Sequence, residues 1–288
     1  MHPFINTVVL GLSLLGSAVF AAPLTYKTYN PQTQGIFPVS STLISGAKDA
    51  ILIDSQFSVK DGANLVKIIQ DSGKNLTYIL ITAGDPDYYF GLEPVVKAFP
   101  NAKVVATAEV VKHIQETKEG KLAYWGPILK DGAPQQVIIP TALNRNTLKL
   151  DGEKIEIKSP GTYASYVWVP SNRTILGGVG VSSGIHLWTA DTQNPESRKE
   201  WSSVLNKMQR QHPYAVIPGH YLGDLPQGTQ AVKFTAQYLK DYEKTLKSND
   251  YKDSTAVIAA VKQTYPSLGN ESSLKLSSKV HTGEMQWK

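Results

Sequence analysis

The stretch "YILITAGDPDYYFGLEPV", Tyr78 to Val95, decides how the rest of the chain is read. A β-branched apolar run ends in a short polar turn, and a helix-like segment follows. A strand of this kind delivers side chains to the rim of a sheet, where binding and catalytic loops gather. Yet the turn holds neither histidine nor cysteine.

The segments around it fall into two similar halves. "VSSTLISG" (Val39 to Gly46) and "DAILIDS" (Asp49 to Ser55) read as a hairpin. Asp61 to Gly73 reads as an amphipathic helix, with Leu65, Ile68 and Ile69 on one face and Gly73 as its stop. After the opening stretch come a short helix, a strand over Lys103 to Thr107 and a helix over Ala108 to Glu119. The middle of the chain changes to short alternating strands, "QQVIIPTAL", "NTLKLDG" and "EKIEIKSP", followed by a hairpin from Tyr166 to Gly178. A helix over Asn194 to Pro213, the strand "YAVIPGHY" and a long helix over Thr229 to Lys247 close the second half. The segment Pro23 to Ile36 reads as polar and turn-rich. Two units of strands followed by helices imply two sheets face to face with helices outside.

Composition sets outer bounds. The chain has 288 residues, 41% of them hydrophobic and 18% charged, which is enough for a large core and argues against disorder. The net charge of +5 comes from scattered Lys and Arg, and no nucleic-acid motif accompanies it. Cysteine is absent, which excludes disulfides, thiolate zinc sites, a cysteine nucleophile and a lipid anchor on cysteine. "INTVVLGLSLLGSAVFAAP" is apolar and uncharged and ends in small residues. It reads as an export signal cleaved after Ala21 or Ala22, with no membrane span afterwards and a secreted or periplasmic destination. The expected organisation is a signal at 1–22, one domain at 23–250, and a C-terminal helix with a polar tail at 251–288. No phosphate-binding loop, dinucleotide fingerprint or nucleophile elbow is present.

The order "ILIDSQF", "ITAGDPDYYFGLE", "SPGTYASYVWVPSNRTILGG", "VSSGIHLWTADT" and "VIPGHY" resembles the metallo-β-lactamase-fold hydrolases over roughly Thr25 to Leu246. The resemblance implies an α/β fold of α+β type, an αββα four-layer sandwich. It also implies a site where two zinc ions activate a bridging hydroxide against an amide, ester, thioester or phosphoester. The family holds those ions with a His-x-His-x-Asp-His loop, a Gly-His-Thr turn, a bridging Asp and a late Gly-His.

This chain departs from that set. Its loop reads Ala83-Gly84-Asp85-Pro86-Asp87-Tyr88, so of the four family positions only Asp87 is kept. The Gly-His-Thr turn falls on Pro160-Gly161-Thr162, the bridging Asp on Val179, and the late Gly-His survives as Gly219-His220. Zinc sites use three or four protein ligands, so a dinuclear centre is not expected. No cofactor is expected; the alternative is a single zinc or other divalent ion held weakly by Asp85, Asp87 and His220.

Asp87, His220 and Tyr88 are therefore the candidate catalytic residues, and each has a bland reading beside it. Asp87 suits a turn, His220 suits a strand-end cap, and Tyr88 suits a filler of the space the metals vacate. The resemblance places His186, Trp188 and Asp191 beside the pocket, where ordinary packing is the competing account. His113 and His212 read as surface residues on helices away from the motifs, and His281 as part of the polar tail.

Three functions follow. The first is an exported protein that binds an unknown small molecule or protein through the old pocket. The second is a mononuclear hydrolase of ester, thioester or lactam-type substrates. The third is a metal-free lyase, isomerase or cyclase that reuses Asp87, His220 and Tyr88 as acid and base.

Overall fold

The computed structural model describes residues 23–159, 164–248, 250 and 252–287. The expected signal at 1–22 and the Pro160-Gly161-Thr162 turn lie outside the described residues.

The first half builds a six-stranded sheet in the order β1 (Thr25–Tyr29), β2 (Ser41–Ser45), β3 (Asp49–Ile53), β4 (Asn75–Leu80), β5 (Lys103–Ala106) and β6 (Thr141–Ala142). β1, β2 and β3 pair antiparallel, and β3 to β6 pair parallel. The parallel steps need crossover connections. These are α1 (Val59–Ser72) between β3 and β4, α2 (Leu92–Ala98) between β4 and β5, and α3 (Ala108–Leu129) between β5 and β6.

The second half pairs β12 (Ala215–Ile217), β10 (Thr174–Leu176), β9 (Tyr166–Val169), β8 (Glu153–Lys158) and β7 (Thr147–Leu150) in that order. α4 (Pro195–Arg210), α5 (Gln230–Lys247), α6 (Ser254–Thr264) and α7 (Glu271–His281) complete it. A small parallel pair, β11 (Ser182–Ser183) with β13 (His220–Tyr221), stands apart from both sheets.

Strand alternation explains the layers. Within β3, Ala50 and Leu52 join a core with Leu65 and Ile69 of α1, while Ile51 and Ile53 join a core with Leu148, Ile155 and Val167 of the other sheet. In β9, Val167 and Val169 face that same intersheet core, and Tyr166 packs with Leu205, Val232 and Leu239 of the outer helices. A strand buried on both faces reads as a continuous apolar run, which is why "AILI" shows no alternation. The result is helix, sheet, sheet, helix, as the resemblance implied.

Four local expectations change. Thr25–Tyr29 is an edge strand rather than a loop, since its alternating residues pair with β2. Of "QQVIIPTAL" only Thr141–Ala142 forms a strand. α3 runs ten residues past Glu119, to Leu129, because Leu122, Trp125 and Leu129 pack onto the first core. The expected polar tail contains α7, whose Leu274 is buried in the second core. There, His281 lies half-buried across the Tyr242 ring, with Nε2 3.1 Å from the Thr189 carbonyl.

Candidate ligand cleft

The opening stretch leaves the sheet at Leu80 and is pinned at both ends. Ile81 N–H donates to the Val105 carbonyl (2.9 Å), and Ala83 forms an isolated bridge with Ala164. Asp85 then starts a single 3-10 turn over Pro86–Tyr88, with Pro86 supplying a preset φ at its first position. Tyr88 N–H donates to the Asp85 carbonyl (3.0 Å), and the Tyr88 carbonyl accepts from Ser55 N–H (2.7 Å).

His220 arrives from the second half. Val39 bridges it, and Tyr221 N–H donates to the Pro38 carbonyl (3.0 Å), which fixes the backbone on either side. Gly219 is required before it. A Cβ there would lie 2.1 Å from the Gly178 carbonyl oxygen and 2.6 Å from the Tyr88 hydroxyl.

These two loops bring Asp87, His220 and Tyr88 together. His220 Nε2 lies 2.7 Å from Asp87 Oδ2, and His220 Nδ1 lies 3.1 Å from the Tyr88 hydroxyl. Both nitrogens of the imidazole are therefore engaged. Asp87 and His220 line the cleft, whereas Tyr88 is fully buried behind them and does not reach its wall. Burial raises the Tyr88 phenol well above its ordinary value, and the Asp87 charge adds to the effect. Tyr88 thus braces His220 from behind rather than meeting a ligand.

Asp85 turns elsewhere. Its Oδ1 lies 3.7 Å from Lys121 Nζ, and the same ammonium donates to the Gly84 carbonyl (2.8 Å) and sits 3.0 Å from His113 Nε2. Burial lifts the Asp85 carboxyl to about 7, against the pull of Lys121. His113 is not the remote surface residue its sequence position implied. The long α3 lies across the loop, so the His113 ring packs against Gly84 and lines the cleft. Burial, with Lys121 adding to it, lowers its pKa to about 4, so it stays neutral. His212 is exposed, as expected.

A resident zinc fits this arrangement poorly. Among the described residues, no three His, Asp or Glu side chains are grouped to hold a metal ion. The donors are already committed: His220 to Asp87 and Tyr88, and Asp85 to Lys121. An ammonium beside the loop also occupies ground a metal cation would need. Val179, at the bridging-ligand position, presents an apolar side chain to the cleft.

Beneath the loop lies a polar knot that the sequence reading passed over. Asp54 is fully buried and accepts from Thr82 N–H and Thr82 Oγ1–H, both at 2.7 Å. Thr82 Oγ1 in turn accepts from Gly178 N–H (2.8 Å). This chain links the ends of β3, β4 and β10. Burial raises the Asp54 carboxyl to about 8, even though its bonds to Thr82 oppose that.

Above the floor is a cavity of about 750 Å³, within the range of small-molecule sites. Four of the five tryptophans line it: Trp125, Trp188, Trp201 and Trp287. Phe37, Trp188, Trp287, Tyr124 and Trp125 form a closed circuit of ring contacts at 4.9–6.0 Å, each ring nearly perpendicular to its neighbours. Asp191 ties two of them, accepting from Trp188 Nε1–H (2.7 Å) and Trp287 Nε1–H (2.8 Å). Trp188 and Asp191 were flagged in the sequence; Phe37, Lys121, Tyr124, Trp125 and Trp287 were not. The aromatic run "LAYWG" was the available signal, and it was lost where the helix was ended too early. His186 turns away from the cleft to the Tyr238 hydroxyl (3.0 Å), and burial lowers its pKa to about 4.

Comparison with known proteins agrees with this geometry. The family model "Metallo-beta-lactamase superfamily" matches residues 35–220, more than half of the chain. Among curated proteins none matches. Solved structures similar to this chain include DIM-1 metallo-beta-lactamase, 21% identical, covering 77% of this chain and 99% of that one with a TM-score of 0.53. A metallo-beta-lactamase from Pontibacter korlensis is 19% identical, with coverage of 76% and 93% and a TM-score of 0.52. FIM-1 from Pseudomonas aeruginosa, in a mono-zinc form, is 14% identical, with coverage of 77% and 94% and a TM-score of 0.52. Likeness at this level of identity speaks for the fold alone. The matched span, the four layers and the placement of the two loops lead to one assignment: the chain belongs to the metallo-beta-lactamase superfamily.

Proposed function

We propose that this protein binds a ligand in the aromatic cleft and does not run dinuclear zinc hydrolysis. The observation that carries the reading is the closed bonding of the floor. Both nitrogens of His220 and the carboxylate of Asp85 already have partners, so the loop lacks the free donors that two-metal chemistry needs. Metal analysis of protein purified without chelator tests it. Substoichiometric zinc is expected, and one or two zinc ions per chain would overturn the reading.

A second reading is favoured by one specific feature. The Asp87–His220 pair lies on the cleft wall, where an imidazole oriented by a carboxylate can serve as a general base. A metal-free lyase, isomerase or cyclase would use it so. Turnover insensitive to EDTA and abolished by His220→Gln supports that reading, and EDTA-sensitive turnover refutes it.

The apolar, uncharged N-terminal run supports export to the periplasm or medium. Intact-mass analysis of the protein from its native host is expected to show a chain starting near Ala22 or Pro23. A chain retaining Met1 removes this part of the proposal.

A further inference from the structure

We propose that the ligand of the aromatic cleft is an organic cation, a protonated amine or quaternary ammonium on an apolar body. This rests on the reading of the cleft as a ligand site and names its chemical class.

The charge balance is the first argument. The protein carries a net charge of +5, yet the aromatic cleft is lined by Asp85, Asp87, Glu116 and Asp191 against one lysine. That lysine, Lys121, is already held by the Asp85 carboxylate and the Gly84 carbonyl. A cleft of one sign in a low-dielectric wall concentrates counter-ions of the other sign. Lys112 lies 3.9 Å from Glu116 and His220 engages Asp87, so the carboxylate that an anionic ligand would meet uncompensated is Asp191.

The rings are the second argument. Indole and phenol faces attract a cation within about 6 Å of the ring centroid, and tryptophan does so best. Here three indoles and one phenol adjoin in a closed circuit completed by the Phe37 ring.

Asp191 is the third. Among the described residues its carboxylate has only the two neutral indole N–H groups as hydrogen-bond partners, and no ion-pair partner. Accepting from an indole N–H also pushes electron density onto that ring, which deepens the negative potential of its face. Asp191 therefore fixes Trp188 and Trp287 in place and supplies charge at the same point.

The test uses the full-length mature protein and three probes of one shape. Choline is the cation, 3,3-dimethylbutan-1-ol its neutral isostere, and 3,3-dimethylbutanoate its anionic counterpart. Binding is read by tryptophan fluorescence and by calorimetry. Choline is expected to bind several-fold tighter than the neutral isostere, the gain a partly exposed cation–π site provides. Asp191→Asn removes the charge and keeps one of the two indole acceptors, so it is expected to bring the choline-to-alcohol affinity ratio to about one, whatever the absolute affinity of either probe. Tyr124→Ala, at a half-exposed rim position, gives a second variant that folds independently of Asp191. It is expected to weaken choline several-fold. Equal or tighter binding of the anion or the alcohol overturns the inference and leaves the cleft a ligand site. Absence of binding by all three overturns the inference. Only stoichiometric zinc in the same preparation also overturns the proposed function.

Discussion

The floor and the rim of one cleft are built on opposite plans. On the floor, Asp87, His220 and Tyr88 satisfy one another, and Asp85 is tied to Lys121. At the rim, Phe37, Tyr124, Trp125, Trp188 and Trp287 touch edge to face and keep surface exposed to the cavity. Polar groups that have each other gain little from a ligand, because binding would only exchange one hydrogen bond for another. Aromatic faces and a carboxylate without a cation have unspent affinity. In relatives where the floor carries metals, it would dominate. On the proposed function, the contrast places recognition at the rim rather than on the floor.

The largest effect is expected on the floor. His220→Ala removes the partner of a buried carboxylate and of a buried phenol at once. It is expected to cost about 2–4 kcal/mol of unfolding free energy in urea, below the full value for a buried pair because Asp87 touches the cavity. A loss under about 1 kcal/mol would show that the floor is not self-supporting and would break the comparison.

The next effect lies beneath the floor. Asp54 has a folded-state pKa raised from 3.8 to about 8. The folded chain therefore keeps a proton that the unfolded chain gives up at lower pH. Its contribution is most favourable below pH 4 and falls as pH rises toward 8, by up to about 1.4 kcal/mol per pH unit. Urea unfolding across that range is expected to show the decline, and Asp54→Asn is expected to flatten it. An unchanged slope in the variant would assign the decline to other groups.

The smallest effect on stability belongs to the rim. Tyr124 is half exposed, so Tyr124→Ala is expected to shift unfolding by less than about 0.5 kcal/mol while weakening binding. A large loss of stability would mean that the rim is structural and would blur its distinction from the floor.

Much of the fold was legible because its signals are local. α1 starts two residues before the expected Asp61 and ends at the expected Gly73 stop, and α4 starts within a residue of the expected Asn194. The edge strand Thr25–Tyr29 was not legible, since its pairing with β2 depends on residues that follow it in sequence. Of the candidate site, Asp87 and His220 could be placed by motif position. Their mutual engagement could not, because the hydrogen bond joins residues 133 apart in sequence. The rim was least legible: its members come from four separated segments, and no motif links Phe37 to Trp287. His113 was misplaced for the same reason, since only the path of α3 carries it over Gly84.

Ala83 marks how far this chain stands from its relatives' chemistry. It occupies the first histidine position of the loop, is fully buried, and is bridged to Ala164. An imidazole there would overpack a filled core, at about 1–3 kcal/mol. The ammonium of Lys121, bonded to the Gly84 carbonyl, would then face any incoming metal ion. Restoring one ligand by one substitution therefore yields a strained protein with no metal to reward it. Several changes must arrive together, among them the removal of Lys121, which lies 38 residues further along the chain. An engineer wishing to build a zinc site into this loop would do well to begin with Lys121 rather than with added histidines.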